Sequence, residues 1–333
     1  MPEERCQISR KQDRFGRIRI LVTGASGLLG LNLALEAAKN YKVFGLTHRH
    51  PLRTDAFQVL QFDLTAPGAV ERLLDQTQPD WVINCAALAI LDECEANPDR
   101  ASKLNTELPR KLAEHVARGG ARLLHVSTDA VFDGQRGDYT ELDQPNPLSV
   151  YARTKLEGER AVLQANPEAI VARVNIYGWS LSGQRSLAEF FFYNLRAGNQ
   201  VQGFTDVYFC PLLANDLAHL FLQMLEANLR GLFHVVSRDC INKYTFGLAL
   251  ARQFKFDEEL IRPSLVGDAG LKAPRSPRLT LRADKITQTL GEPPPGLSPG
   301  LERFYTLYQQ GYPQELGRMA ESGMPDRGQI YAS

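Results

Sequence analysis

Cysteine is scarce and unpatterned in this chain: five residues among 333, at positions 6, 85, 94, 210 and 240, with no Cys-x-x-Cys or Cys/His ligand spacing. An odd, scattered set argues against a disulfide framework and a metal site, and fits a reducing compartment. Net charge is also missing. Thirty-eight basic side chains meet thirty-eight acidic ones, so no global field attracts a nucleic-acid polymer or an anionic membrane. No apolar run approaches the roughly 20 residues that span a bilayer. The start, MPEERCQISRKQDRFGR, lacks the apolar core of a secretory signal. Residues 1–16 read as a flexible extension, and the balance of these absences favours a cytoplasmic protein.

What is present is alternation. Short β-rich runs, IRILVT (18–23), YKVFGL (41–46), FQVLQF (57–62), DWVINCAA (80–87), ARLLHVST (121–128) and AIVARV (169–174), are separated by segments of helical character. Strands spaced by helices of ten or more residues imply βαβ units and a parallel sheet covered on both faces. The expected fold is α/β: a Rossmann-type doubly wound sheet over residues 17–174, with later segments at about 205–236 returning to it. Residues 175–310 should form mainly a smaller C-terminal substrate lobe, followed by a tail from 311. Within 97–120, Asn97 and Pro98 open a helix, Gly119 and Gly120 close it, and Pro109 predicts a kink or break.

The first strand runs into VTGASGLLG, where Gly24, Gly27 and Gly30 stand at the mouth of the first helix. Such glycines give a tight turn, close approach to a pyrophosphate, and close helix–strand packing. The helix amino terminus adds unpaired N–H groups and a positive dipole end. No carboxylate follows the second strand. Thr47, His48, Arg49 and His50 do, and a guanidinium at Arg49 suits the extra phosphate of NADPH, with NADH also admitted. Asp63 of FDLT can reach an adenine amino group or cap a helix.

Thr128 ends a buried strand, at the edge of the sheet where open α/β folds bind ligands. Tyr151 and Lys155 follow on a helix opened by Asn146 and Pro147, and their i,i+4 spacing puts both on one face. A hydride delivered to a carbonyl carbon leaves an alkoxide that must be stabilised and protonated. A free phenol has a pKa of about 10. A neighbouring ammonium and a cationic nicotinamide should lower it, making Tyr151 an acid for reduction. Arg173, Arg185, Arg275 and Arg278 are candidates for a nucleotide diphosphate, on charge alone.

VTGASGLLG, FDLT, DWVINCAA, STDAVFDG, YARTKLEGE and RVNIYG occur in the order found in extended short-chain dehydrogenase/reductases. The chain resembles that superfamily over roughly residues 17–310, and within it the dTDP-4-dehydrorhamnose reductases. The resemblance implies that Thr128, Tyr151 and Lys155 are catalytic. It implies cofactor contacts at Gly24, Ser26, Gly27, Leu28, Gly30, Asp63, Leu64, Ala86, Ala87 and Asn105, with a plain helix position as the other reading of Asn105. On the substrate side it points to Asp129, Asn175 and Asp206, with a cap or turn acid as the other reading of both aspartates. The expected reaction is reduction of the 4-keto group of a nucleotide-linked deoxysugar, and the family also implies a homodimer. Ala130 and Ile176 stand where this group carries aromatic residues, so the substrate pocket departs from the pattern. An epimerase or dehydratase on the same scaffold, and a dinucleotide-binding subunit similar to the methionine adenosyltransferase β subunit, are the alternative readings.

Overall fold

A computed structural model describes residues 16–269 and 276–320. Seven parallel strands form the main sheet. Six are β1 (Arg19–Thr23), β2 (Lys42–Thr47), β3 (Gln58–Gln61), β4 (Trp81–Asn84), β5 (Arg122–Thr128) and β6 (Ile170–Val174). The seventh, Gly231–His234, pairs with β6, giving the spatial order seventh-β6-β5-β4-β1-β2-β3. The order reverses between β1 and β4, which opens a crevice at their carboxyl ends.

Alternation along each strand divides two cores. Ile20 and Val22 of β1, Trp81 and Ile83 of β4, and Ile170 and Ala172 of β6 enter the larger one. Leu21, Val82 and Val171 face the other. The larger side is covered by α1 (Leu28–Ala38) and α8 (Ala214–Glu226). The other is covered by α2 (Ala69–Thr77) and α5 (Leu108–Gly119). Burial on both faces explains why these strands read as continuous apolar runs.

Between β4 and α5 the chain makes two short helices, α3 (Leu91–Ala96) and α4 (Pro98–Ser102), then a π turn at Lys103–Glu107. The kink expected at Pro109 is therefore taken up just before it, by a wider turn rather than a break. Asn97 precedes α4 but its side chain makes no cap. The Tyr151 helix, α6 (Val150–Ala165), is capped by Ser149, whose hydroxyl accepts from Ala152 N–H. Asn146, expected to open it, instead donates to Asp133.

The second half adds α7 (Leu187–Arg196), held by a Ser186–Glu189 capping box, and α9 (Lys243–Phe254), capped by Asn242. The tail was expected to carry little pattern. From 311 it forms the helix Tyr312–Met319, which buries Leu316, and Ala320 bridges to Leu52. One cysteine pair overturns the expectation of no disulfide: Cys210 and Cys240 are bonded, 4.1 Å apart at Cα. They lie one step beyond the antiparallel pairs Phe209↔Ile241 and Tyr208↔Asn242. That register is a tertiary event between segments 30 residues apart, which cysteine spacing does not reveal. The expected extension at residues 1–15 lies outside the described residues.

Candidate active site

The glycine turn closes one wall of the crevice. Gly24 has φ +68°, and a Cβ there would lie 2.9 Å from Ala86 N. A Cβ on Gly30 would meet the Gly24 carbonyl at 2.2 Å, so α1 approaches β1 only because position 30 is bare. Gly27 is the N-cap of α1 and supplies no side-chain cap. The first-turn N–H groups therefore point at the crevice mouth beside Ser26 and Leu28, where an anionic pyrophosphate fits. Three residues not anticipated from sequence brace this turn. Thr23 Oγ1 donates to Asn84 Oδ1 at 2.6 Å and accepts from Ala86 N–H at 3.2 Å, while Asn84 Nδ2 lies 3.0 Å from His125 Nδ1. The available signal was three polar residues inside otherwise apolar strands. Ala87, next in the chain, is exposed at the crevice.

At the end of β2, His48, Arg49 and His50 are exposed. Asp63 folds one carboxylate oxygen onto the Thr65 N–H and hydroxyl, at 2.9 and 2.6 Å, and sets the other 3.8 Å from His48 Nε2. The two Thr65 hydrogen bonds hold its carboxyl below the ordinary range. The charge of Arg185, expected on the substrate side, also acts here. His50 is held below its usual pKa first by desolvation, then by the charges of Arg185 and Arg49. Two other residues expected at the cofactor also serve the interior. Leu64 is buried in the smaller core. Asn105 is fully buried, pinning the loop after β4 through both Leu88 backbone groups, at 2.9 and 3.0 Å, and reaching Thr154 at 3.1 Å.

Of the side chains expected to be catalytic, Thr128 and Tyr151 come together. The Thr128 hydroxyl lies near enough to the Tyr151 phenol to act on it. Thr128 also donates to Asp129 Oδ1 at 3.1 Å, and Asn175 Nδ2 donates to Asp129 Oδ2 at 2.5 Å. Burial pushes the Tyr151 phenol up to about 12, against the Thr128 hydroxyl and with help from the Asp129 charge. The expected lowering invokes a cationic nicotinamide as well as Lys155; the protein's own groups alone raise the phenol. The Lys155 ammonium is buried and donates to the Val126 carbonyl at 2.6 Å; burial lowers its pKa to about 8, while Glu159 opposes the fall. Asp129 is buried, and that raises its carboxyl to about 6.

Three other residues take the alternative available to each, an ion pair, a turn or a ring contact. Arg173 is 2 % exposed and locked onto Glu159 through Nε at 2.9 Å and Nη2 at 2.7 Å, with Ser127 on the same carboxylate at 2.5 Å. Asp206 is a turn acid, accepting from Val266 N–H at 3.0 Å. Arg278 sits 5.9 Å from the Tyr208 ring centre. Arg275 lies outside the described residues.

Known proteins resemble this chain along most of its length. It is 35% identical over 285 residues to "Probable low-salt glycan biosynthesis reductase Agl14" of Haloferax volcanii, covering 84% of this chain and 95% of the relative. Identity is 35% over 266 residues with the dTDP-4-dehydrorhamnose reductase of Mycobacterium tuberculosis, covering 78% and 83%. It is 32% over 297 residues with methionine adenosyltransferase 2 subunit beta of Rattus norvegicus, covering 86% of each. A crystal structure of a dTDP-4-dehydrorhamnose reductase from Clostridium acetobutylicum superposes with a TM-score of 0.76 at 27% identity, covering 88% of this chain and all of that one. Residues 18–310 match the RmlD substrate binding domain, and the chain belongs to that family.

Proposed function

We propose that this chain is an NADPH-dependent oxidoreductase that reduces the 4-keto group of a nucleotide-linked deoxysugar such as dTDP-4-dehydrorhamnose. The observation that carries the reading is the Thr128–Tyr151 hydroxyl pair at the carboxyl end of β5, beside the crevice braced by Gly24 and Gly30. Named reductases among the relatives support it, and a Bacillus anthracis reductase of the same fold was crystallised with NADP.

Gly24, Gly27 and the first turn of α1 would hold the cofactor's pyrophosphate, with Arg49 and Arg185 at the adenosine phosphate. When bound, a reduced nicotinamide supplies the hydride. A keto oxygen beside Thr128 and Tyr151 accepts two hydrogen bonds that strengthen as negative charge grows on it. Tyr151, with a pKa of about 12, keeps its proton at neutral pH. It gives that proton up only to a stronger base, and an alkoxide is one. The phenol therefore acts as an acid in the direction of reduction. Lys155 is mostly protonated at neutral pH, with a pKa of about 8, and stabilises the phenolate left behind.

A dehydratase would want a second acid after Asp129, where Ala130 stands. The β-subunit relative is a subunit of methionine adenosyltransferase 2, yet the Thr128–Tyr151 pair favours turnover. Homodimerisation rests on family resemblance and a cytoplasmic setting on the composition of the sequence, and the Cys210–Cys240 bond weighs against the latter. Among the described residues no helix is long and apolar enough to cross a membrane.

The test follows NADPH absorbance with freshly made dTDP-4-keto-6-deoxyhexoses, comparing wild type with Tyr151→Phe. Oxidation by wild type, reduced by about 100-fold or more in the variant, is the expected result. Tight NADPH binding with no oxidation would remove this substrate class.

A further inference from the structure

The bonded cysteine pair has one residue inside the fold and one outside. Cys210 is fully buried, in a small core with Val131, Phe132, Leu156 and Val236. Cys240 is exposed, as are Arg238 and Asp239 before it. A thiolate breaks a disulfide by attacking one sulfur and expelling the other, so access decides which sulfur is attacked. Here the accessible one belongs to Cys240. The sulfur that would be expelled, Cys210 Sγ, accepts a hydrogen bond from Leu281 N–H at 3.3 Å, and the Leu281 carbonyl lies 3.6 Å from it. A backbone donor stabilises a leaving thiolate, and the carbonyl can accept from the thiol formed once that thiolate takes up a proton.

We propose that Cys240 is a thiol-exchange site, through which a dithiol reagent controls the order of the 237–242 loop and of the Asp129 wall of the crevice. One thiolate of the reagent attacks Cys240 Sγ; a mixed disulfide forms, the Cys210–Cys240 bond breaks, and Cys210 leaves as a thiolate. The second thiolate of the reagent then attacks the reagent's own sulfur in the mixed disulfide and releases Cys240. The reagent ends as a disulfide, and the protein has gained two electrons and two protons. Glutathione disulfide reverses the sequence by the same two displacements, releasing two molecules of glutathione.

The remaining ties of the loop are slight. Ser237 N–H donates to the Cys210 carbonyl at 3.4 Å, Asp239 accepts from Leu297 N–H at 2.8 Å, and two residue pairs form the ladder with Tyr208–Phe209. So short a ladder does not order a segment by itself. The buried end of the bond reaches the catalytic strand. Two residues after Cys210, Leu212 N–H donates to the Asn175 carbonyl at 2.9 Å, and Asn175 holds Asp129 at 2.5 Å. Leu156, packed in the core around Cys210, adjoins Lys155 on α6.

The test uses the full chain, oxidised, with its Cys210→Ser and Cys240→Ser variants. After incubation with glutathione disulfide, peptide masses should show glutathione on Cys240 of Cys210→Ser and none on Cys210 of Cys240→Ser. Absence of the first adduct, or an equally fast second one, would overturn the exchange site. In wild type, dithiothreitol should raise deuterium uptake over 237–247 in labelling of about one minute, leave 19–47 unchanged, and be reversed by glutathione disulfide. No change over 237–247 once both thiols are free would overturn the inference. So would an equal rise over 19–47, because reduction would then loosen the whole fold. A third arm rests on the reductase reading: reduction should raise KM for the ketosugar by about threefold or more with NADPH affinity unchanged, and Cys240→Ser should not respond. Equal KM in both redox states, or a response in the variant, would overturn control of the crevice wall. Absence of turnover in both states would overturn the reductase reading, with the adduct and labelling results still deciding the exchange site.

Discussion

Asp129 is a carboxyl held away from water by the end of β5, with one oxygen on Thr128 and the other on Asn175. Burial raises its pKa from 3.8 to about 6, so the folded chain binds this proton more tightly than the unfolded one. Stability contributed by Asp129 is therefore greatest below about pH 4 and declines as pH rises through about 6. A rise of roughly two pKa units corresponds to about 3 kcal/mol. Asp129→Asn should flatten this part of the profile: its urea midpoint, compared with wild type, should gain at pH 7 relative to pH 4.5. Parallel profiles would sink the assignment. The same residue shows what was legible from sequence. Gly24, Gly27, Gly30, Thr128, Asp129 and Tyr151 are placed by local spacing around strand ends, so their neighbourhood could be read directly. Arg173, Arg185, Asn105 and Leu64 could not be read that way. Their roles depend on which distant group meets them: Glu159, His50, the Leu88 backbone and the smaller core.

At the scale of elements, the π turn at Lys103–Glu107 is the clearest departure from local rules. Pro109 cannot donate to an α-helical ladder and crowds the turn before it. The chain widens there, and Leu108 N–H bonds the Lys103 carbonyl. The widened turn presses the Asn105 carbonyl against α6, so tightly that a Cβ on Gly158 would approach it to 2.1 Å. The proline was visible in the sequence; its accommodation depended on a glycine some fifty residues away. Strands and long helices were legible because their periodicity repeats over several residues. The two-residue ladder Tyr208–Phe209 with Ile241–Asn242 was not, because it is too short to show a period. That ladder is where the Cys210–Cys240 bond sits, closing a loop with a sequence separation of 30. Loop closure of that length is worth about 3–4 kcal/mol in the unfolded chain. Cys240→Ser, read against oxidised wild type, should lower the urea midpoint accordingly, and dithiothreitol should lower wild type but not the variant. A midpoint indifferent to both changes would mean that the two thiols are not bonded in solution.

Across the whole molecule, the sheet half and the later helices are joined by a polar cluster beside the aromatic core. The helix Leu297–Gln309 lays Phe304 on Trp179, ring centres 4.0 Å apart, and Trp179 Nε1 donates to the Phe304 carbonyl at 3.1 Å. One residue earlier, Arg303 reaches Glu36 of α1 at 2.9 Å and Asp216 of α8 at 2.5 Å, while Asn215 donates to the same Glu36 at 3.0 Å. Burial alone would raise the Glu36 pKa, but hydrogen bonds from His219, Lys39 and Asn215 and the Arg303 charge outweigh it and hold the group well below the ordinary range. A depressed folded pKa contributes stability that is present above the unfolded value and lost as pH falls below it. Arg303→Met would leave two nearly buried carboxylates short of their cation, at a cost of about 1–3 kcal/mol. Its acid unfolding should begin at higher pH than in wild type, because Glu36 then takes up its proton earlier. Arg252→Met provides the contrast, since Arg252 meets Glu258 on the exposed surface, where ion pairs contribute little. Acid and urea titrations of both variants separate the two cases: Arg303→Met should move both midpoints and Arg252→Met neither. Equal behaviour of the two would mean that the Glu36–Arg303–Asp216 cluster is energetically a surface feature, and that apolar packing such as Phe304 on Trp179 carries the join between the two halves.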